Sequence, residues 1–317
     1  MTLYASYQTS FVSTPMRLMP ACQVSLLALA GSMLSGPSAV SEVHRHIVQL
    51  EVRRDSVEWT DSVTTRAVIW TPIGLRGRAL PTLIFSPGFG QIPSRYSTLL
   101  SEWARQGYLV IGIAHPSFPN PDQVELYDAS TVIARQLTRA VDHILRHRRS
   151  GSPFWRVDPE RLGVIGHSVG GSAVAQACAW DPRLRAGMDL DGTVFGEVVH
   201  TGMRQPFFLL RQRFPVAPND RPQFFERRDQ ASLHEDSVFT HATTMYWLTV
   251  ERLDHMAFTD AALTKAAAND GHLSAERTHE ITTRYVLDFF GHYLSGMPRS
   301  TGLDHSLFAG TDLRIKR

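Results

Sequence analysis

Residues 163–173 read GVIGHSVGGSA. One serine, Ser168, stands between Gly166 and Gly170, after the apolar run LGVI and before a row of small residues. That order suits a buried strand turning sharply into a helix. The glycines let strand and helix approach closely, and Gly171, Ser172, Ala173 and Ala175 keep the helix start slim. A serine on such a turn carries its hydroxyl above the sheet, where it can act as a nucleophile. A glycine-rich phosphate-binding turn or a plain loop is the competing reading. The dinucleotide pattern G-x-G-x-x-G fails, because His167 and Ser168 stand between Gly166 and the next glycine.

Strand and helix signals alternate on both sides of this stretch. HIVQLEV (46–52), AVIW (67–70), TLIF (82–85) and YLVIGI (108–113) read as strands, as do 162–165, 186–190, PFFLL (206–210) and TTMYWLTV (243–250). Residues 95–106, 129–148, 168–180 and 274–294 carry helical patterns. Ile133, Leu137, Val141 and Leu145 recur by fours, as do Ile281, Tyr285, Phe289 and Tyr293, with Gly296 and Pro298 as the final stop. The alternation predicts an α/β fold: a mostly parallel central sheet with helices on both faces. The first two strands have no helix between them, which predicts an antiparallel edge.

The chain has 317 residues, 43% hydrophobic and 20% charged, enough for a sizeable core. A single domain is expected over 41–317. The formal charge of +2 gives no reason to expect a nucleic-acid partner. The short basic cluster at Arg146, His147, Arg148 and Arg149 reads as a helix end, where cations suit the dipole. Cys22 and Cys178 form neither a disulfide framework nor a metal knuckle, and Cys178 reads as a small buried hydrophobe. Over residues 1–40, Arg17 precedes LMPACQVSLLALAGSML and then SGPSAVS. This reads as a signal peptide starting at Met16, interrupted by Pro20, or as a disordered or surface-packed extension. A leader implies a secreted or periplasmic protein, and its absence a cytoplasmic one. No other run reaches the ~20 apolar residues that span a bilayer. Residues 212–242 are polar and rich in proline, and read as a lid, a pocket wall or a surface excursion.

A nucleophilic serine needs a base, and the base needs a carboxylate to fix its tautomer. On strand–elbow–helix architectures the chain order is serine, acid, histidine. His255, in ERLDHMAFTD directly after the strand 243–250, lies where a loop returns over the carboxyl edge of the sheet. The acid is less singular. After PFFLL come Arg211, Gln212 and Arg213, with no carboxylate until Asp220. One strand earlier, GMDLDGT offers Asp191 at the rim and Asp189 deeper on the same face. Asp191 is the expected acid, with Asp189 and Asp220 as rivals. The oxyanion needs backbone N–H donors. Val169, after the serine, is one. The loop SPGFGQ supplies the other from Phe89 or Gly90, since Pro87 cannot donate, and Phe89 between its glycines is the expected donor.

Together SPGFG, GHSVGG, the aspartate of MDLDGT and DHMAFTD resemble the platelet-activating-factor acetylhydrolase family of α/β-hydrolases. They resemble bacterial polyester hydrolases and dienelactone-hydrolase relatives more loosely. The resemblance covers residues 45–295. It implies the α/β-hydrolase fold, an acid after the sixth strand where Asp191 falls, and oxyanion donors at Val169 and Phe89. Where that family often has histidine before the glycine of the S-x-G turn, this chain has Pro87, and 212–242 matches nothing in it. The resulting expectation is a serine esterase acting on a small ester or lipid with a short-to-medium acyl chain. Its mechanism needs no metal or organic cofactor. Phe89, Phe118, Phe195, Phe224 and Phe225 are candidates to line the acyl pocket or to be core. Lipase, thioesterase, lactonase and peptidase chemistry use the same machinery, and a non-catalytic binding protein on this fold is the rival of a different class.

Overall fold

The computed structural model describes residues 50–317 except 76, 78, 117, 119–123, 214–232 and 265–270. The leader or extension expected over 1–40 lies outside the described residues, as do Asp220, Phe224 and Phe225. Nine strands run along the described residues: β1 Val52–Thr60, β2 Thr64–Pro72, β3 Leu80–Ser86, β4 Leu109–Ile113, β5 Val157–His167, β6 Leu184–Leu190, β7 Phe207–Arg213, β8 Met245–Glu251 and β9 Thr311–Lys316. They join in one sheet in the order β1-β2-β4-β3-β5-β6-β7-β8-β9. From β4 to β8 every neighbouring pair is parallel. The pairs β1–β2, β2–β4 and β8–β9 are antiparallel, so both edges depart from the parallel centre.

The centre is parallel because helices cross between its strands and bury both faces. The helices are α1 Ser97–Arg105, α2 Leu126–Arg146, α3 Val169–Trp180, α4 Val198–Thr201, α5 at residues 233–241, α6 Asp260–Thr264 and α7 Ala275–Ser295. Alternate residues of each strand feed opposite layers. Phe207 and Leu209 of β7 join Ile133, Leu137 and Val174 of α2 and α3. Phe208 and Leu210 join Trp103 of α1 and Tyr285 and Phe289 of α7. A buried ring or branched side chain contributes about 1.5–3 kcal/mol, so these two layers fix which face each strand turns where. Helix α7 begins at Ser274, whose hydroxyl accepts from the Arg277 amide at 3.2 Å, and ends at Gly296 with φ 64°.

The first two strands form the expected antiparallel edge. The first strand among the described residues is VRRDSVEWT, which takes in Val52 of the expected run HIVQLEV, whose residues 46–49 lie outside the described residues. It pairs along its length with β2, and its exposed arginines, serine and glutamate suit a solvent-facing edge. Strand β9 was not expected, since TDLRIK offers only Leu313 and Ile315 to the core. Its Arg314 lies over the rings of Phe239 and Trp247, each at 4.7 Å. In the segment 212–242, Gln212 and Arg213 finish β7 and 233–241 is helix α5. This helix is anchored by Val238 in the core and by the Ser237 hydroxyl donating to the Val199 carbonyl at 2.6 Å. No helix among the described residues is long and apolar enough to cross a membrane.

Candidate active site

Strand β5 ends at His167 and α3 starts at Val169, leaving Ser168 alone in the corner between them. Its backbone sits at φ 57° and ψ −126°, a conformation that costs a side-chain-bearing residue about 1–3 kcal/mol. The close approach behind it demands glycine. A Cβ on Gly166 would strike the Gly170 carbonyl, and one on Gly170 would strike the carbonyls of Ser86 and Pro87. Among the described residues only three non-glycines have positive φ: Ser168, Asp191 and Arg252. The first two lie in the site, and the third opens the loop that carries His255. Backbone strain is thus gathered where the chemistry-bearing residues converge.

Sheet register brings them together. The Ser168 amide donates to the Leu190 carbonyl at 3.0 Å, and the Asp191 amide to the Leu210 carbonyl at 2.8 Å, extending the ladder past the ends of β5 and β6. The Ser168 hydroxyl lies 3.0 Å from His255 Nε2. On the far side of the ring, His255 Nδ1 donates to Asp191 Oδ2 at 2.6 Å. Asp191 Oδ1 accepts the Gln212 amide at 2.9 Å, so both carboxylate oxygens are held. The His255 side chain is 39% exposed and that of Asp191 2%. A reactant therefore approaches from the histidine side, with the carboxylate sealed behind. Burial alone would raise the Asp191 carboxyl, but the His255 hydrogen bond, the Arg211 charge and the Gln212 amide outweigh it and hold it below its ordinary value.

Of the rival acids, Asp189 is fully buried and does not reach the histidine. Its Oδ1 accepts the Gly192 amide at 2.7 Å, and its Oδ2 has no partner among the described residues. Burial raises its carboxyl well above the usual range. The turn after β3 is closed by the Gln91 amide donating to the Gly88 carbonyl at 3.0 Å, with Gly90 at φ 68°. Phe89 sits at the head of this turn, and its amide has no partner among the described residues. Val169 opens α3, where a first-turn amide has no intrahelical acceptor. Phe89 and Phe118 pack ring on ring at 5.4 Å, and Phe195 meets Tyr127 at 6.4 Å and His234 at 6.1 Å. All three phenylalanines are only partly buried.

Sequence reading passed over two groups. Arg211, at the strand end where a carboxylate was sought, is buried, donates to the Gly192 carbonyl and forms an ion pair with Glu235 of α5. Burial pushes the Glu235 carboxyl up to about 7 against the pull of Arg211. The second group is His167 with Tyr96, hydrogen-bonded at 2.8 Å behind the elbow. His167 was in plain view as the residue before the serine; its partner 71 positions away was not. Among the described residues no group of three or more His, Cys, Asp or Glu is arranged to hold a metal ion.

Comparison with known proteins gives the following. The PET hydrolase-like family model matches residues 40–195, and the model of platelet-activating factor acetylhydrolase, isoform II, matches residues 155–295. A probable 1-alkyl-2-acetylglycerophosphocholine esterase of Arthroderma benhamiae is 30% identical over 141 residues, 39% of this chain and 34% of that one. The platelet-activating factor acetylhydrolase of Bos taurus is 27% identical over 238 residues, 58% of this chain and 53% of that one. The matched stretch thus spans between a third and about half of these relatives' length. A ferulic acid esterase structure from Streptomyces cinnamoneus superimposes with a TM-score of 0.67 at 21% identity, covering 85% of this chain and 97% of that one. This likeness shows the fold, that of an α/β-hydrolase.

Proposed function

We propose that this chain, an α/β-hydrolase related to the platelet-activating factor acetylhydrolases and the PET hydrolases, is a serine esterase. The observation that carries the reading is the pair of hydrogen bonds, 3.0 and 2.6 Å, linking a strained serine to a histidine and the histidine to a buried aspartate. Ser168 Oγ attacks the ester carbonyl while His255 Nε2 takes its proton. Asp191 holds the ring in the Nδ1–H tautomer and stabilises the imidazolium that forms. The Phe89 and Val169 amides receive the oxyanion; one such donor contributes about 2.7–4 kcal/mol to the transition state. His255 returns the proton to the leaving alcohol, and water then attacks the acyl-enzyme with His255 again as base. The relatives' names, a 2-acetyl-phospholipid esterase and an acetylhydrolase, together with the half-buried Phe89, Phe118 and Phe195, favour a short-to-medium acyl chain. Export depends on a leader within residues 1–40, and the mass of chain recovered outside producing cells tests it.

Initial rates on p-nitrophenyl esters from acetyl to palmitoyl, for wild type and Ser168→Ala side by side, test this reading. The expected result is turnover peaking at short chains and falling on the order of 10⁶-fold in the variant. A peak at long chains makes the protein a lipase. No Ser168-dependent turnover on any ester removes the esterase reading, leaving a peptidase, a narrow-specificity hydrolase or a binding protein.

A further inference from the structure

Three strand ends must keep register for the proposed chemistry: the oxyanion turn after β3, the elbow after β5 and the histidine loop after β8. One unbroken run of hydrogen bonds crosses all three. The Gly88 amide donates to the Tyr96 hydroxyl at 3.1 Å, and that hydroxyl lies 2.8 Å from His167 Nδ1. His167 Nε2 lies 2.8 Å from the main-chain carbonyl oxygen of His255.

The directions follow from the acceptors. A carbonyl can only accept, so Nε2 carries the hydrogen and Nδ1 is bare. Tyr96 must then donate to Nδ1, which leaves its oxygen lone pairs to accept the Gly88 amide. Every polar atom in the run is used, as a buried network requires. Tyr96 and His167 are both fully enclosed. The imidazole is packed at 5.0 Å against Phe258, 4.8 Å against the His255 ring and 5.7 Å against Tyr96. Burial and the neighbouring His255 push His167 down to about 3, and burial pushes Tyr96 up to about 12, in keeping with a neutral run. Gly88 is part of the fit, since a Cβ there would sit 3.0 Å from His167 Nδ1. The same loops are tied a second time: Asp260 accepts the Ser97 and Thr98 amides at 2.9 and 3.0 Å, capping α1 directly after Tyr96.

We propose that Tyr96 and His167 are positioning residues: their hydrogen-bond relay from the Gly88 amide to the His255 carbonyl aligns the oxyanion turn and the catalytic histidine with Ser168. Neither residue touches the reacting atoms. The relay's kinetic consequence rests on the esterase reading. A displaced donor or base loses rate rather than binding, because the misfit is felt where charge develops.

The test is Tyr96→Phe, which deletes one oxygen, with His167→Leu and His167→Gln beside it. The readouts are kcat, KM, the Ki of a phenylboronic acid, Tm, and amide hydrogen exchange of segments 86–91 and 253–258. Tyr96→Phe should lower kcat by about 10- to 100-fold with KM nearly unchanged. The boronic acid should weaken by a comparable factor, and both segments should exchange faster. His167→Gln, whose amide can accept from Tyr96 and donate to the His255 carbonyl, should recover more of kcat than His167→Leu. Unchanged kcat and Ki in Tyr96→Phe, or a fall in Tm with kcat intact, would overturn the proposal. If wild type shows no Ser168-dependent turnover, the esterase reading has failed by itself. Exchange in the two segments then decides whether the relay holds the loops, and no change there overturns it too.

Discussion

Asp189 and Asp191 stand two residues apart where β6 ends, yet they occupy opposite electrostatic surroundings. On the rim, Asp191 has both oxygens filled, by His255 and by the Gln212 amide, with Arg211 nearby, and stays ionised. On the floor, Asp189 is wedged so tightly beneath α3 that a Cβ on Gly171 would strike its Oδ1. It has one amide donor and favours its protonated form. Burial is shared, so burial does not separate them; the number of hydrogen bonds offered to the charged form does. One backbone detail sets the difference. Leu190 ends the strand, and the positive φ of Asp191, 58°, turns it out of the sheet toward the histidine loop.

The largest effect expected from this contrast is on rate. Asp191→Asn should lower kcat on the order of 10⁴-fold, because an amide stabilises the wrong tautomer of His255. Steady-state rates on p-nitrophenyl acetate check it, and a near-normal kcat would remove Asp191 from the triad. Next comes Arg211, the cation shared by rim and floor. Arg211→Met leaves Asp191 and Glu235 buried without it, and should cost about 3–5 kcal/mol of stability in urea unfolding. The smallest effect belongs to the floor. Asp189→Asn should keep kcat within several-fold and shift stability by about 1 kcal/mol or less near pH 4. A carboxyl raised above its unfolded value of 3.8 contributes stability below that pH and loses it as pH rises toward the folded value. The asparagine does not titrate, so Asp189→Asn should gain on wild type from pH 4 to 7. A gain that shrinks over that range would show Asp189 to be ionised in the folded protein.

Much of this arrangement could be read from the chain because its signals are local. An apolar run, a turn and a slim helix start sit within eleven residues around Ser168, Asp191 follows directly on β6, and His255 lies in the short loop after β8. The edges were harder. VRRDSVEWT is a strand because β2 pairs with it along its whole length, and TDLRIK because β8 does; neither carries a strong apolar pattern of its own. The support behind the site was not legible at all. Tyr96 lies 71 residues from His167, and the carbonyl that His167 reaches lies 88 residues further along. Nothing local in a tyrosine before a helix or a histidine before a serine announces such a contact. Arg211 was noticed only as the lack of a carboxylate, because its partner Glu235 arrives from a separate helix.

The most direct test is covalent capture: intact mass and peptide mapping after exposure to a fluorophosphonate, for wild type, Asp191→Asn and Ser168→Ala. The account predicts one adduct on Ser168 in wild type, formed much more slowly in Asp191→Asn and absent from Ser168→Ala. An unmodified Ser168 in wild type, or an adduct that forms equally fast without Asp191, would contradict it.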